Sequence, residues 1–403
     1  MTSAPTCRVF LACLVVLSGF CGVSLQSAAT TGEEMIRIYA APFLSRQHPD
    51  GAYDLPSEVQ ARLKAEIALA HAGQVTGDDV YGISALCDLE WVIAQRMEAH
   101  GGLNWTGPEN QHFFEVHQHW FLIASELILR LDSSSTAMGA HDASRPARHA
   151  AIRECQQAAW GFMIATNPAG VDLYEHNAKA HDAFFAYRSV DRQGVLQSQG
   201  PFKGSYEIGA TLWSLALHCG TGGSGLGARG RIGAAAQALD RLVTQSLRPP
   251  TERGFFDATS GTWVRLLEWT DAGWKGWQPV DWKYASEMQV GALEYSLLTG
   301  RADLLSACRR HSEYVLSQMR SYGRLRGLPD PHGNAAYEYG MSLSLLALSD
   351  QAFRGLDAAF ADQCARAADE MFAYVTRSFE AASTEEHAAL LTGLARAMAA
   401  RTR

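Results

Sequence analysis

The chain has little of what several function classes require. It contains no CxxC pair, no run of basic residues and no second long apolar segment after its first thirty residues. Lys and Arg together number 34 against 42 Asp and Glu, so the surface is mildly acidic and a nucleic-acid partner is not expected. Of the 8 cysteines, Cys87, Cys155, Cys219, Cys308 and Cys364 follow the leader, odd in number and widely spaced. That spacing excludes a zinc knuckle or a dense disulfide framework and suggests small core residues. A DxDD motif is absent, which removes the squalene-cyclase type of chemistry, and nothing resembles a lanthionine-cyclase zinc site. No cofactor motif is visible, and none is expected.

The N-terminus reads MTSAPTCRVFLACLVVLSGFCGVSLQSAATTG. One arginine, an apolar run and an Ala-rich exit have the layout of a signal peptide over residues 1–29. The expectation is export, to the periplasm or the medium, with no membrane contact beyond that signal. Losing Arg8 with the leader takes the formal net charge from −8 to −9.

Three segments repeat: SYEIGATLWSLALHCG from Ser205, SEMQVGALEYSLLTG from Ser286 and AAYEYGMSLSLLALSD from Ala335. Aligned on Gly209, Gly291 and Gly340, each has Glu or Gln two residues earlier and a helix rich in small apolar residues after it. DVYGISALCDLEWVIAQ, aligned on Gly82, reads as a fainter copy. A second, more amphipathic helix follows each clear copy, with one wet face. Hairpins that cannot bury their faces alone must stack or close. The predicted fold is therefore all-α, an α/α toroid of about six helical hairpins filling residues 30–403 as a single domain. Only residues 253–282 read as partly β, a small hairpin and loop insertion on the rim.

With these hairpins the chain resembles the α/α-toroid carbohydrate-active enzymes, the six-hairpin glycosidases and toroidal polysaccharide lyases. That resemblance implies a polysaccharide or oligosaccharide substrate held in a central cleft.

Four groups of residues are candidates for the site. In YEHNAKAHDAFFAYR, Asn177, His181 and Arg188 share a helical stripe with Tyr174 and Phe184; they suit a uronate carboxylate and a proton transfer, or a merely polar outer face. In QHFFEVHQHWFLIASELILRL, His117 falls on the apolar side, while His112, Glu115, His119, Glu126 and Arg130 form a polar stripe expected to face water. The insertion concentrates Trp263, Trp269, Trp274, Trp277 and Trp282, whose flat faces suit sugar rings. Glu and Tyr recur at the starts of the repeated helices: Tyr206 and Glu207, Tyr284 and Glu287, Tyr337 and Glu338.

Two chemistries compete for these residues. β-Elimination on a uronic-acid glycan needs carboxylate neutralisation, a base and an acid. Asn177 and Arg188 would serve the first, His181 or His117 the second, Tyr206 or Tyr337 the third. The alginate-lyase kind of toroid carries Asn-Asn-His, which Asn177 and His181 match loosely. Glycoside hydrolysis needs two carboxylates, available among Glu207, Glu287, Glu338, Asp281 and Asp330. The sequence favours elimination slightly, with hydrolysis next and a non-catalytic glycan-binding toroid third. One difficulty is phase: strict alternation of inner and outer helices puts Asn177 on an outer one.

Overall fold

The computed structural model describes residues 32–53, 58–105, 112–134, 144–170, 173, 189–197, 202–219, 241–270, 273–278, 282–320, 323–326, 335–378 and 383–402. Its helices are α1 Gly32–Leu44, α2 Val59–Thr76, α3 Asp79–Arg96, α4 Glu115–Ser134, α5 Arg145–Gly161, α6 Ser205–Cys219, α7 Trp282–Thr299, α8 Ala302–Gln318, α9 Ala336–Phe353, α10 Ala358–Ser378 and α11 Thr384–Arg401. Residues 241–246 add a further helical turn.

Among the described residues, α2, α4, α6, α7, α9 and α11 pack side by side in that order, and α11 returns to α2. The chain is thus an α/α toroid. The remaining helices stand outside: α1 chiefly on α11, α3 on α2, α5 on α4, α8 between α7 and α9, and α10 against α9. Burial follows the layer. The inner α4 buries seventeen of its twenty residues, so it shows no wet face. The outer α8 buries only Leu304, Ala307, Cys308, His311, Ser312 and Val315, one stripe at three- and four-residue steps, as a helix touching one layer must.

The repeated glycines are where the inner helices meet. A Cβ on Gly291 would lie 1.9 Å from the Gly209 carbonyl oxygen, and one on Gly209 would lie 2.5 Å from that of Glu287. The same contact recurs between α9 and α11: a Cβ on Gly340 would lie 2.4 Å from the Ala389 carbonyl carbon. Only hydrogen fits at these crossings. On α11 the residue facing Gly340 is Ala389, and the helix is entered through a capping box of Ser383 and Glu386. The Gly82 segment, expected as a fainter copy, forms the outer helix α3, which packs chiefly on α2, with Ile83 on its exposed side.

The insertion is β structure, as expected. Strands β5 Phe256–Asp257 and β6 Thr262–Trp263 make one hairpin, and β7 Leu266–Thr270 with β8 Gly273–Gln278 makes a second. Strand β4, Phe202–Gly204, pairs with β7 and runs straight into α6. Three further short strands, β1 His112–Phe114, β2 Ser189–Asp191 and β3 Leu196–Gln197, form a separate sheet. Cys308 and Cys364 are buried thiols, while Cys87 and Cys155 are half-buried. No helix among the described residues is long and apolar enough to cross a membrane.

Candidate active site

The centre of the ring is a hollow to which all six inner helices contribute. Its polar end lies where those helices begin. Lys64, on α2, projects there and is almost wholly buried. Its Nζ donates to Glu287 Oε1 on α7 at 2.8 Å, to Tyr337 Oη on α9 at 2.9 Å, and to Glu385 Oε1 on α11 at 3.3 Å. Four inner helices thus meet on one ammonium. Lys283 reinforces the group, donating to Glu385 Oε2 at 3.1 Å and lying 4.6 Å over the Tyr337 ring. Lys64 itself stands 5.1 Å over the indole of Trp120.

The two carboxyl groups are pushed in opposite directions. Burial raises Glu287 above its ordinary range, and the pull of Lys64 and Lys283 does not fully offset it. Lys64 dominates at Glu385 and, with Lys283, holds that carboxyl down at about 2. Burial works against the charge on Lys64, yet Glu287 and Glu385 more than compensate, and it stays above the usual lysine value. Glu287 Oε2 has no hydrogen-bond partner among the described residues. Because Tyr337 accepts from Lys64, its own O–H remains available to the hollow.

Other expected residues are placed as follows. Tyr337 and Glu287 line the hollow; Glu338, one step round α9, does not. Tyr206 is half-buried, donates to Glu207 Oε1 at 3.3 Å and meets Tyr284 edge-on at 4.8 Å. Glu207 Oε2 accepts from the Gly204 backbone N–H at 2.9 Å, fixing the turn from β4 into α6. Trp277 is exposed on β8, and Trp282 packs on Tyr314 of α8 at 5.8 Å. The backbone register sets Trp269 opposite Trp274, but their side chains lie outside the described residues, as do Asn177, His181, Arg188, Asp281 and Asp330.

Three expectations need correction. Trp263 is no sugar platform: it is fully buried and its indole N–H donates to Gln289 Oε1 at 2.8 Å. The polar stripe on α4 does not face water, because α4 is an inner helix. His119 is buried, with Nδ1 2.6 Å from Ser214 Oγ and Nε2 3.4 Å from Glu115 Oε1. His117 is also buried and does not line the hollow; its ring lies 5.2 Å from Phe114 and 6.2 Å from Trp105, so packing around the start of α4 occupies it. Among the described residues no three metal-ligating side chains converge. Sequence reasoning missed Lys64 and Glu385. Nothing local flagged the first, and the capping box concealed the second.

No family model matches the chain, and no curated protein does either. Solved structures do match in fold. An α-1,6-mannanase of glycoside hydrolase family 76 from Salegentibacter sp., inactivated at two consecutive aspartates and bound to a mannotetraose, superimposes with a TM-score of 0.62 at 9% identity, over 92% of this chain and 99% of that one. The cellobiose 2-epimerase of Spirochaeta thermophila gives 0.60 at 12% identity, over 94% and 100%. A family 76 mannosidase of Bacteroides thetaiotaomicron gives 0.59 at 10%, over 92% and 99%. The chain shares the α/α-toroid fold of these carbohydrate-active enzymes. The consecutive aspartates of this chain, Asp78 and Asp79, open the outer helix α3 and are not among the residues that line the hollow.

Proposed function

We propose that the protein is a carbohydrate-active enzyme, a glycoside hydrolase whose acid is Glu287 and whose nucleophile is Glu385. The observation that carries this reading is the pair of carboxyls on one lysine, with affinities for the proton driven apart. A carboxyl raised by burial beside one held ionised is the pattern that glycosidic cleavage asks for. Glu287, with Oε2 uncommitted, would protonate the glycosidic oxygen as the bond to the anomeric carbon breaks. Glu385, held ionised, would attack that carbon and form a glycosyl-enzyme. Glu287, now a carboxylate, would then take a proton from water as the water displaces Glu385.

A close pair would fit retention of configuration. Glu287 Oε1 and Glu385 Oε1 both touch Lys64 Nζ, at 2.8 and 3.3 Å, so those two oxygens lie no further apart than the sum, about 6.1 Å. Retaining pairs stand about 5–5.5 Å apart and inverting pairs about 6.5–9.5 Å. Elimination loses ground, since of its candidates only Tyr337 lines the hollow among the described residues. With a leader over residues 1–29, the enzyme would work outside the cytoplasm on an imported or extracellular glycan.

The test is a panel of oligosaccharides that includes mannosides, cellobiose and uronic-acid glycans, read in three ways. New reducing ends with retained anomeric configuration, abolished in Glu287→Gln, are the expected result. Absorbance near 235 nm would restore elimination, and a changed sugar without cleavage would mean epimerisation.

A further inference from the structure

The hollow changes character with depth. Arg396 lies eleven residues beyond Glu385 on α11, about 16 Å of helix rise. Its guanidinium is buried, donates from Nη2 to Glu294 Oε1 at 2.5 Å and to His71 Nε2 at 3.3 Å, and lies 4.8 Å over the Trp213 ring. Burial, and then the Arg396 charge, hold His71 well below the ordinary histidine value. It is neutral and serves as an acceptor. Trp120 meets Trp213 edge-on at 6.5 Å, which joins this inner region to the lysine above it.

The hydrogen-bond inventory here is one-sided. Among the described residues, Nε and Nη1 of Arg396 and the indole N–H groups of Trp120 and Trp213 all lack partners. All three side chains line the hollow. Four buried donors are thus left open, a costly arrangement unless a ligand completes it. The neighbouring carboxylate, Glu294, is already engaged by Arg396, and Thr392 one turn earlier adds a hydroxyl that can also donate. A sugar hydroxyl brings a proton of its own, whereas an oxyanion only accepts. Arg396 adds a guanidinium whose Nε and Nη1 hydrogens remain to be matched by such a group.

We infer that the inner end of the hollow binds an oxyanion carried by the innermost sugar ring, held by the Nε–H or Nη1–H of Arg396 and the indole N–H groups of Trp120 and Trp213. The oxyanion is a carboxylate, a sulfate or a phosphate. This inference rests on the hydrolase reading for the substrate, but the binding itself is measurable without turnover.

Isothermal titration of the purified protein with glucuronate, glucose 6-sulfate, glucose 6-phosphate and glucose tests it. At least one acidic sugar should bind about tenfold tighter than glucose, and which one does so names the oxyanion. Trp213→Phe keeps a ring and removes one donor; it should shrink that preference roughly threefold. Arg396→Lys keeps the charge but loses the Nε and Nη1 donors, and should shrink it further. Should Arg396→Lys not fold, Trp213→Phe combined with Trp120→Phe carries the comparison. The inference is overturned if no acidic sugar is preferred over glucose, or if the preference survives these variants unchanged. A failed hydrolase reading would look different: the preference would persist while no glycan is cleaved.

Discussion

Replacing Lys64 with methionine probes the whole centre, because Lys64 is the contact shared by α2, α7, α9 and α11. Glu385 moves from 4.5 to about 2, with Lys64 the largest cause, and 29% of its side chain is exposed. At about 1.4 kcal/mol per unit, that depression is worth about 3 kcal/mol to the ionised folded state, shared between Lys64 and Lys283. The sign is that of a lowered carboxyl: the stabilisation is present above the unfolded value near 4.5 and fades as pH falls towards 2. Methionine also strands Glu287, which is buried and already raised, and removing one partner of a buried pair typically costs about 3–5 kcal/mol. Protonation of Glu287 relieves part of that.

Lys64→Met is therefore expected to unfold about 3 kcal/mol more easily than the parent at pH 7. Urea titrations at pH 7, 5 and 3 should show the gap narrowing below pH 4.5. Adding Glu287→Gln should restore at least about 1 kcal/mol, since the two sites are in contact. A gap under about 0.5 kcal/mol at pH 7, or one that ignores pH, would refute the account of the centre. So would a double variant no better than Lys64→Met alone.

Further outcomes follow from the same geometry. Glu287→Gln should lower kcat about 100-fold or more and remove the basic limb of the pH–rate profile; an unchanged limb would take the acid away from Glu287. Gly291→Ala places a methyl 1.9 Å from the Gly209 carbonyl oxygen, and should destabilise by about 3 kcal/mol. Gly355→Ala, where an added Cβ meets nothing within 4 Å, is its control in the same thermal melts. His311 and His218 are pushed down to about 3 and about 4, burial being the first cause in both. Lowered histidines give stability above pH 6.5 that is lost as pH falls towards those values. His311→Gln should accordingly flatten the acid unfolding curve between pH 6.5 and 4, and an unaltered curve would show that His311 does not limit acid stability.

The outer layer was legible because each outer helix touches one neighbouring layer, and its buried residues repeat at helical steps. The inner layer was legible only through its glycines. A helix covered on every side shows no periodicity, so α4 looked amphipathic when its polar stripe in fact meets Ser214 and its own Glu115. The same blindness misplaced Gly82: a small residue in a helix signals close approach, without saying whether the neighbour lies within the ring or behind it.

The chemistry was less legible for a different reason. RLKAEIALAHA, the stretch holding Lys64, reads as a helix with an incidental charge, and its partner Glu287 is 223 residues away. Glu385 stands beside Glu386, whose capping bond to the Ser383 backbone accounts for one glutamate so well that the second attracts no notice. The Lys64 ammonium meets its acids only on closure, because Glu287 comes from α7 and Glu385 from α11. Local pattern gives the walls, while the site is a property of how the last hairpin meets the first.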